Sequence, residues 1–193
     1  MLEEEIGKIL KEKKLRIATA ESCTGGGLTD RITNVSGSSD YFERGFVTYS
    51  VSAKQENLGV PHEIIDRFGV VSNETAVAMA EGVKNVSRAD IGIGITGIAG
   101  PTGGSKEKPV GTVCIGISGK ETMVKTFHFK GSRVEIKNKA CDEALKMLKD
   151  YLVSLHNNDV TTNSHEDIND EKIWRNNRLS QVVKTQVNIY EES

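Results

Sequence analysis

The chain has 193 residues and is nearly neutral, with 25 Lys+Arg against 27 Asp+Glu. All 19 glycines and all three prolines precede Val153, whereas the last 40 residues hold no Gly, Pro or Ala and carry seven Asn, with four basic against seven acidic side chains. The remaining body has a net charge of +1, which argues against a nucleic-acid binder working by phosphate neutralisation, since that affinity needs clustered Lys and Arg. No apolar run approaches the ~18 residues of a membrane span, and Met1 opens a charged helix and not a signal peptide. Cys23, Cys114 and Cys141 are odd in number and widely spaced, which suits a reducing cytoplasm. The four histidines show no metal-ligand spacing, so no metal or other cofactor is expected.

In chain order, Leu2, Ile6, Ile9 and Leu10 recur at helical spacing, with acids first and lysines last, as the helix dipole favours. Leu15 to Ala20 reads as a short buried strand, and Thr24-Gly25-Gly26-Gly27 leads into a helix from about Leu28 to Val35. Gly45 to Ser50 reads as the next strand, Ser52 as the cap of a short helix through Leu58, and Pro61 as the first residue of a further helical turn. Ser72 caps a helix striped by Ala76, Met79, Ala80 and Val83. Ala89 to Ile98 is a tight strand in which Ile91, Ile93 and Ile95 alternate with small residues. After a Gly/Pro loop over Ala99 to Lys108, Val110 to Ser118 and Glu121 to Lys130 form a hairpin across Gly119-Lys120.

Ser132 with Glu135 is a capping box that opens a long helix buried through Ala140, Ala144, Leu148, Tyr151 and Leu152. Helices alternating with strands, then a hairpin, predict an α/β class: a single α/β/α layered domain with a mixed sheet over residues 1–153. Residues 154–193 read as a polar, Asn-rich tail. Its two apolar clusters, Ile173-Trp174 and Leu179 to Val183, suit either disorder or a short docking helix, and the composition favours disorder.

Gly92-Ile-Gly94-Ile-Thr-Gly97 matches the dinucleotide fingerprint literally. That mechanism needs its glycines in the turn between a strand and a helix, where helix amides meet the pyrophosphate. Here the first two lie inside a strand and Pro101 stands where the helix should begin, so a dinucleotide site is rejected. Thr19-Ala-Glu-Ser-Cys-Thr-Gly-Gly-Gly27 is the stronger candidate. A strand ends, a hydroxyl and a thiol stand at its C-terminal edge, and a glycine turn enters a helix, the arrangement of a nucleophile beside an oxyanion hole. A serine helix cap on a glycine-loosened turn would have the same sequence.

Tyr49-Ser-Val-Ser-Ala-Lys54 ends the next strand on the same edge if the two strands run parallel. A desolvated Lys54 would then serve as base for Ser22, with the Tyr49 hydroxyl relaying or orienting; Lys54 as a solvated helix residue is the alternative. Cys23 is the rival nucleophile.

TAESCTGG, GSSDYFERGFVTYSVSAK and GITGIAGPTGGSKEKPVGTV together resemble the C-terminal domain of the competence/damage-inducible CinA family, in its stand-alone nicotinamide-nucleotide amidase (PncC) type. The similarity spans about Glu4 to Leu152. The resemblance implies metal-independent deamidation of nicotinamide mononucleotide to nicotinate mononucleotide in pyridine nucleotide recycling. Ser22 is then nucleophile, Lys54 base and Tyr49 its partner, with the amides around Cys23, Thr24, Gly25 and Gly26 holding the oxyanion.

Arg133, in the first turn of the last helix, is the first choice for the phosphate. Thr96, Gly97 and Gly100 to Gly104 are read as shaping the pocket wall or binding substrate through backbone groups, a reading compatible with a tight inter-strand connection. Glu21 is read either as facing the pyridinium or as holding the turn, and Arg44 as meeting a phosphate or a carboxylate across a dimer contact. The implied partner is the small-molecule substrate, in a homodimer, with no nucleic acid or membrane. The alternative is a catalytically silent nucleotide-binding or competence-associated regulatory module.

Overall fold

The computed structural model describes residues 1–161, with side-chain environments given through Leu155. The clusters Ile173-Trp174 and Leu179 to Val183 lie outside the described residues. Among the described residues the order is α1 (Leu2–Lys13), β1 (Ile17–Glu21), α2 (Gly27–Thr33), a 3-10 turn (Ser38–Asp40), β2 (Phe42–Val47), α3 (Val51–Leu58), α4 (His62–Phe68), α5 (Asn73–Ser87), β3 (Ile91–Gly97), β4 (Thr112–Ser118), β5 (Thr122–His128) and α6 (Arg133–Thr161). Residues Met1–Leu155 form one compact unit. No described helix is long and apolar enough to cross a membrane.

The five strands form one mixed sheet in the order β2-β1-β3-β4-β5. β1 is parallel to both β2 and β3, whereas β4 runs antiparallel to β3 and β5. This is the α/β layered fold with a mixed sheet that the pattern predicts. Because strand residues alternate between faces, each strand feeds two cores. Ile17, Ile91, Ile93 and Ile95 join Ile6, Leu10, Leu28, Ile32, Leu148 and Leu152 from α1, α2 and α6. On the other face Ala18 and Ala20 meet Leu58, Ile65, Met79 and Val83 from α3, α4 and α5.

The glycines of β3 explain why the fingerprint-like spacing has nothing to do with a cofactor. A Cβ built on Gly92 would sit 2.0 Å from the Ala80 carbonyl oxygen, and one on Gly94 2.3 Å from that of Ala76. Helix α5 therefore lies directly on the backbone of β3, and only glycine leaves room for it.

The boundaries of β2, α3 and α4 differ from expectation for local reasons. β2 begins at Phe42, not Gly45, because Phe42 pairs with Ile17 at the start of the β1 ladder. It ends at Val47, beyond which the Thr48 and Tyr49 carbonyls turn toward Lys54. Ser50, not Ser52, caps α3, its Oγ accepting from the Ala53 amide at 3.0 Å. Pro61 sits one residue earlier than N1, as the extended N-cap of α4. The Ser132–Glu135 box forms as expected, the Ser132 amide donating to Glu135 Oε2 at 2.7 Å.

Candidate active site

β1 and β2 are parallel, so their C-terminal ends open on the same edge of the sheet. Ser22 follows β1 directly, its amide continuing the ladder onto the Ile95 carbonyl at 3.0 Å. Lys54 lies in the first turn of α3 and folds back beneath the end of β2. Its Nζ is 3.2 Å from Ser22 Oγ, 2.8 Å from the Thr48 carbonyl oxygen and 3.4 Å from that of Tyr49. Lys54 is fully buried and Ser22 is 7 % exposed. None of the three partners carries a charge, and burial lowers the Lys54 pKa from its ordinary value. A neutral lysine has two N–H groups and one lone pair. The two carbonyls can accept both hydrogens, which leaves the lone pair for the Ser22 hydroxyl proton.

The surroundings of Cys23 do not favour it as the rival nucleophile. Burial pushes its thiol up to about 12, so no useful thiolate forms near neutrality. Its sulfur is also close to Gly97, where an added Cβ would come within 3.0 Å of it. Gly97 is thus a packing glycine between the nucleophile turn and β4.

The turn after Ser22 is held by Glu21. This fully buried carboxylate accepts from the amides of Gly26 (3.1 Å), Leu28 (3.1 Å) and Thr29 (2.8 Å) and from the Thr29 hydroxyl (2.7 Å). Of the two readings of Glu21, the structure assigns the second: it holds the turn and does not face outward. The same bonds revise the oxyanion reading. The Gly26 amide is spent on Glu21, and the Gly25 amide donates to the Ser22 carbonyl at 3.1 Å. Gly25 and Gly26 take φ of +64° and +94° to shape the turn. The amides of Cys23 and Thr24 donate to no carbonyl or carboxylate among the described residues, which leaves them as the donors open to a developing negative charge.

Arg133 reaches the same rim from α6. One guanidinium nitrogen donates to the Gly100 carbonyl at 2.7 Å and the other to the Tyr49 hydroxyl at 3.1 Å. The Tyr49 ring is 62 % exposed and its hydroxyl is bound to Arg133, not to Lys54. Toward Lys54 it offers only its backbone carbonyl, and the expected hydroxyl relay does not form. Thr96 is fully buried and donates to the Val70 carbonyl at 2.8 Å, so its hydroxyl ties β3 to the loop before α5 instead of lining the pocket.

Arg44 lies elsewhere. It pairs with Ala18 near the start of β1 and bonds Glu43 at 3.3 Å. Lys137 is a residue the sequence reading missed: with Thr24, Gly25 and Gly26 it lines a cavity of about 350 Å³ beside the turn. Its position four residues after Arg133, on one helix face, was the available signal.

Comparison with known proteins accords with this architecture. Residues 1–152 match the CinA C-terminal domain family. A CinA-like protein of Syntrophus aciditrophicus is 51% identical over 155 residues, covering 79% of this chain and 37% of that protein. A putative competence-damage inducible protein of Caldicellulosiruptor bescii is 46% identical over 154 residues, 79% of this chain and 38% of its own length. The chain therefore spans less than two-fifths of the curated relatives it matches. Among solved structures, the competence/damage inducible protein CihA from Agrobacterium tumefaciens superposes with a TM-score of 0.75 at 40% identity, covering 77% of this chain and 92% of that one. A CinA superfamily protein from Escherichia coli gives 0.74 at 34% identity, over 76% and 86%. By its sequence over these residues and by its fold, the chain belongs to the CinA C-terminal domain family.

Proposed function

We propose that the chain is a metal-independent amidohydrolase that converts nicotinamide mononucleotide to nicotinate mononucleotide and ammonia. One observation carries the reading: a buried lysine without a carboxylate partner stands 3.2 Å from a serine at the C-terminal edge of a parallel strand pair.

Ser22 Oγ attacks the carboxamide carbon as its proton passes to Lys54 Nζ, and the oxyanion forms against the Cys23 and Thr24 amides. The lysine proton then goes to the amide nitrogen, the C–N bond breaks, and ammonia leaves an acyl-enzyme. Water attacks that ester, gives its proton to Lys54, and Ser22 recovers it as the carboxylate departs. Arg133, pinned by Gly100 and Tyr49, and Lys137 one turn further on supply the positive charge that suits the nucleotide's phosphate.

Ammonia release from nicotinamide mononucleotide tests the reading. Ser22→Ala is expected to lower kcat by about a thousandfold or more, the scale of losing a covalent nucleophile. Normal turnover by that variant would remove Ser22 from the mechanism. A wild-type chain that binds the nucleotide calorimetrically without releasing ammonia would be a catalytically silent binding module.

A further inference from the structure

A second concave site lies at the opposite edge of the sheet. Arg16 immediately precedes β1, Glu43 and Arg44 lie on β2, and Ser87 and Arg88 end α5 just before β3. With Val86 these side chains line a cavity of about 440 Å³. β1 runs five residues from this edge to Glu21, so some 16 Å of strand at ~3.3 Å per residue separates the cavity from the catalytic serine. From the geometry we infer that this cavity binds the phosphate group of a small phosphorylated molecule, outside the catalytic site.

Charge is the first argument. Three guanidiniums face one carboxylate: Glu43 bonds Arg16 at 2.5 Å and Arg44 at 3.3 Å, leaving most of the five N–H donors on each arginine available. Arg88 has no ion-pair partner among the described residues. Asp90 lies outside the cavity lining, its carboxylate accepting from the Arg16 backbone amide at 2.7 Å, and with Glu43 it leaves the three arginines a net surplus of one positive charge. Planar guanidiniums converging on one concavity match the oxygens of a phosphate, which accepts several charge-assisted hydrogen bonds at once.

Two further observations point to a ligand. Ser87 is 4 % exposed, lines the cavity, and its hydroxyl has no hydrogen-bond partner among the described residues. A buried hydroxyl is ordinarily paired, and a phosphate oxygen would supply the acceptor. Arg88 occupies the left-handed cap position after α5 with φ of 51°, where glycine is the favoured residue. Lys14 takes the same conformation after α1, and a cation suits either helix end through the dipole, so at Arg88 the cap serves to set the guanidinium in the cavity lining. Val86 is the sole apolar lining residue, so the fit is to a compact polar phosphomonoester or free phosphate and not to a ligand carried by a large apolar ring.

Calorimetric titration of the full chain tests this, using Arg133→Ala throughout to weaken phosphate binding at the catalytic rim. The probes are inorganic phosphate, a sugar phosphate, a nucleoside monophosphate and a short DNA duplex. We expect the Arg133→Ala protein to bind a phosphate probe, more weakly as salt rises. Adding Arg88→Gly, which suits the left-handed cap and so preserves the fold, is expected to weaken binding about tenfold or more, as loss of charge-assisted bonds to a phosphate does. Arg44→Gln should act in the same direction. Tighter binding of the sugar phosphate or nucleotide than of inorganic phosphate would identify a phosphorylated metabolite as ligand, and the reverse order free phosphate. The proposal fails if no phosphate probe binds the Arg133→Ala protein at millimolar concentration, if Arg88→Gly leaves affinity unchanged, or if only the duplex binds.

Discussion

At the scale of single residues, Lys54 is the unusual choice. Lysine is rarely buried unless paired, and here it is fully buried with two carbonyls and a hydroxyl as partners. The energetic consequence is a pKa lowered from the ordinary value by desolvation. As the proposed base, Lys54 must be neutral to accept the serine proton, so the proposed activity rises with pH through that lowered pKa. The kcat/KM profile for ammonia release should therefore show an ascending limb of slope one with its midpoint below ~10.4, the ordinary lysine value. A limb centred at or above that value would mean that Lys54 is charged during turnover and is not the base. Glu21 shows the opposite economy: it is buried and ionisable, yet its carboxylate is saturated by four donors and works only by shaping the turn.

At the scale of elements, the close approach of α5 to β3 and β4 is tightly constrained. Added Cβ atoms on Gly92, Gly94 and Gly116 would all press on backbone of α5, and backbone cannot move aside as a flexible side chain can. Gly94→Ala is expected to lower stability by roughly 1–3 kcal/mol, the usual cost of overpacking a tight core, measured by urea denaturation. An unchanged denaturation midpoint would show that α5 can lift from the sheet freely. Periodicity revealed these elements well, because buried faces impose spacing on the sequence. Helix α6 is legible through Ala140, Ala144 and Leu148, and its capping box through Ser132 and Glu135. The misplaced end of β2 and start of α3 have one cause. Residues 48–50 look like strand by composition, but the Thr48 and Tyr49 carbonyls turn to Lys54 and Ser50 is taken up as the cap of α3.

For the whole molecule, the buried amine couples the protonation of Lys54 to global stability. The folded state lowers the Lys54 pKa, so the unfolded chain binds more protons than the native one between the two pKa values. Stability then rises with pH across that window, by 2.303RT per pH unit for each proton difference. The slope starts at the lowered native pKa and ends near ~10.4, the unfolded value. Wild type minus Lys54→Met, followed by denaturant midpoint against pH, should show this rising difference. A flat difference would mean that the lysine pKa is the same in both states. The fold also sets the two proposed sites apart in space: the C-terminal ends of the parallel strands carry Ser22, and their N-terminal ends carry the arginine cavity.

The sequence by itself determined the α/β class, most helices and strands, and the pairing of Ser22 with Lys54 as candidates. Hydrophobic spacing and turn chemistry are local properties, and the family motifs are contiguous runs. Only the tertiary structure decided what each candidate does. It spent the Gly25 and Gly26 amides on the turn, bound the Tyr49 hydroxyl to Arg133, turned Thr96 to the Val70 carbonyl, and moved Arg44 to the far edge of the sheet. A hydrogen bond depends on where a donor's partner lies in space, and partners 26 to 84 residues apart in the chain leave no spacing to read. Burial decides in the same way whether a lysine is a solvated cation or a base.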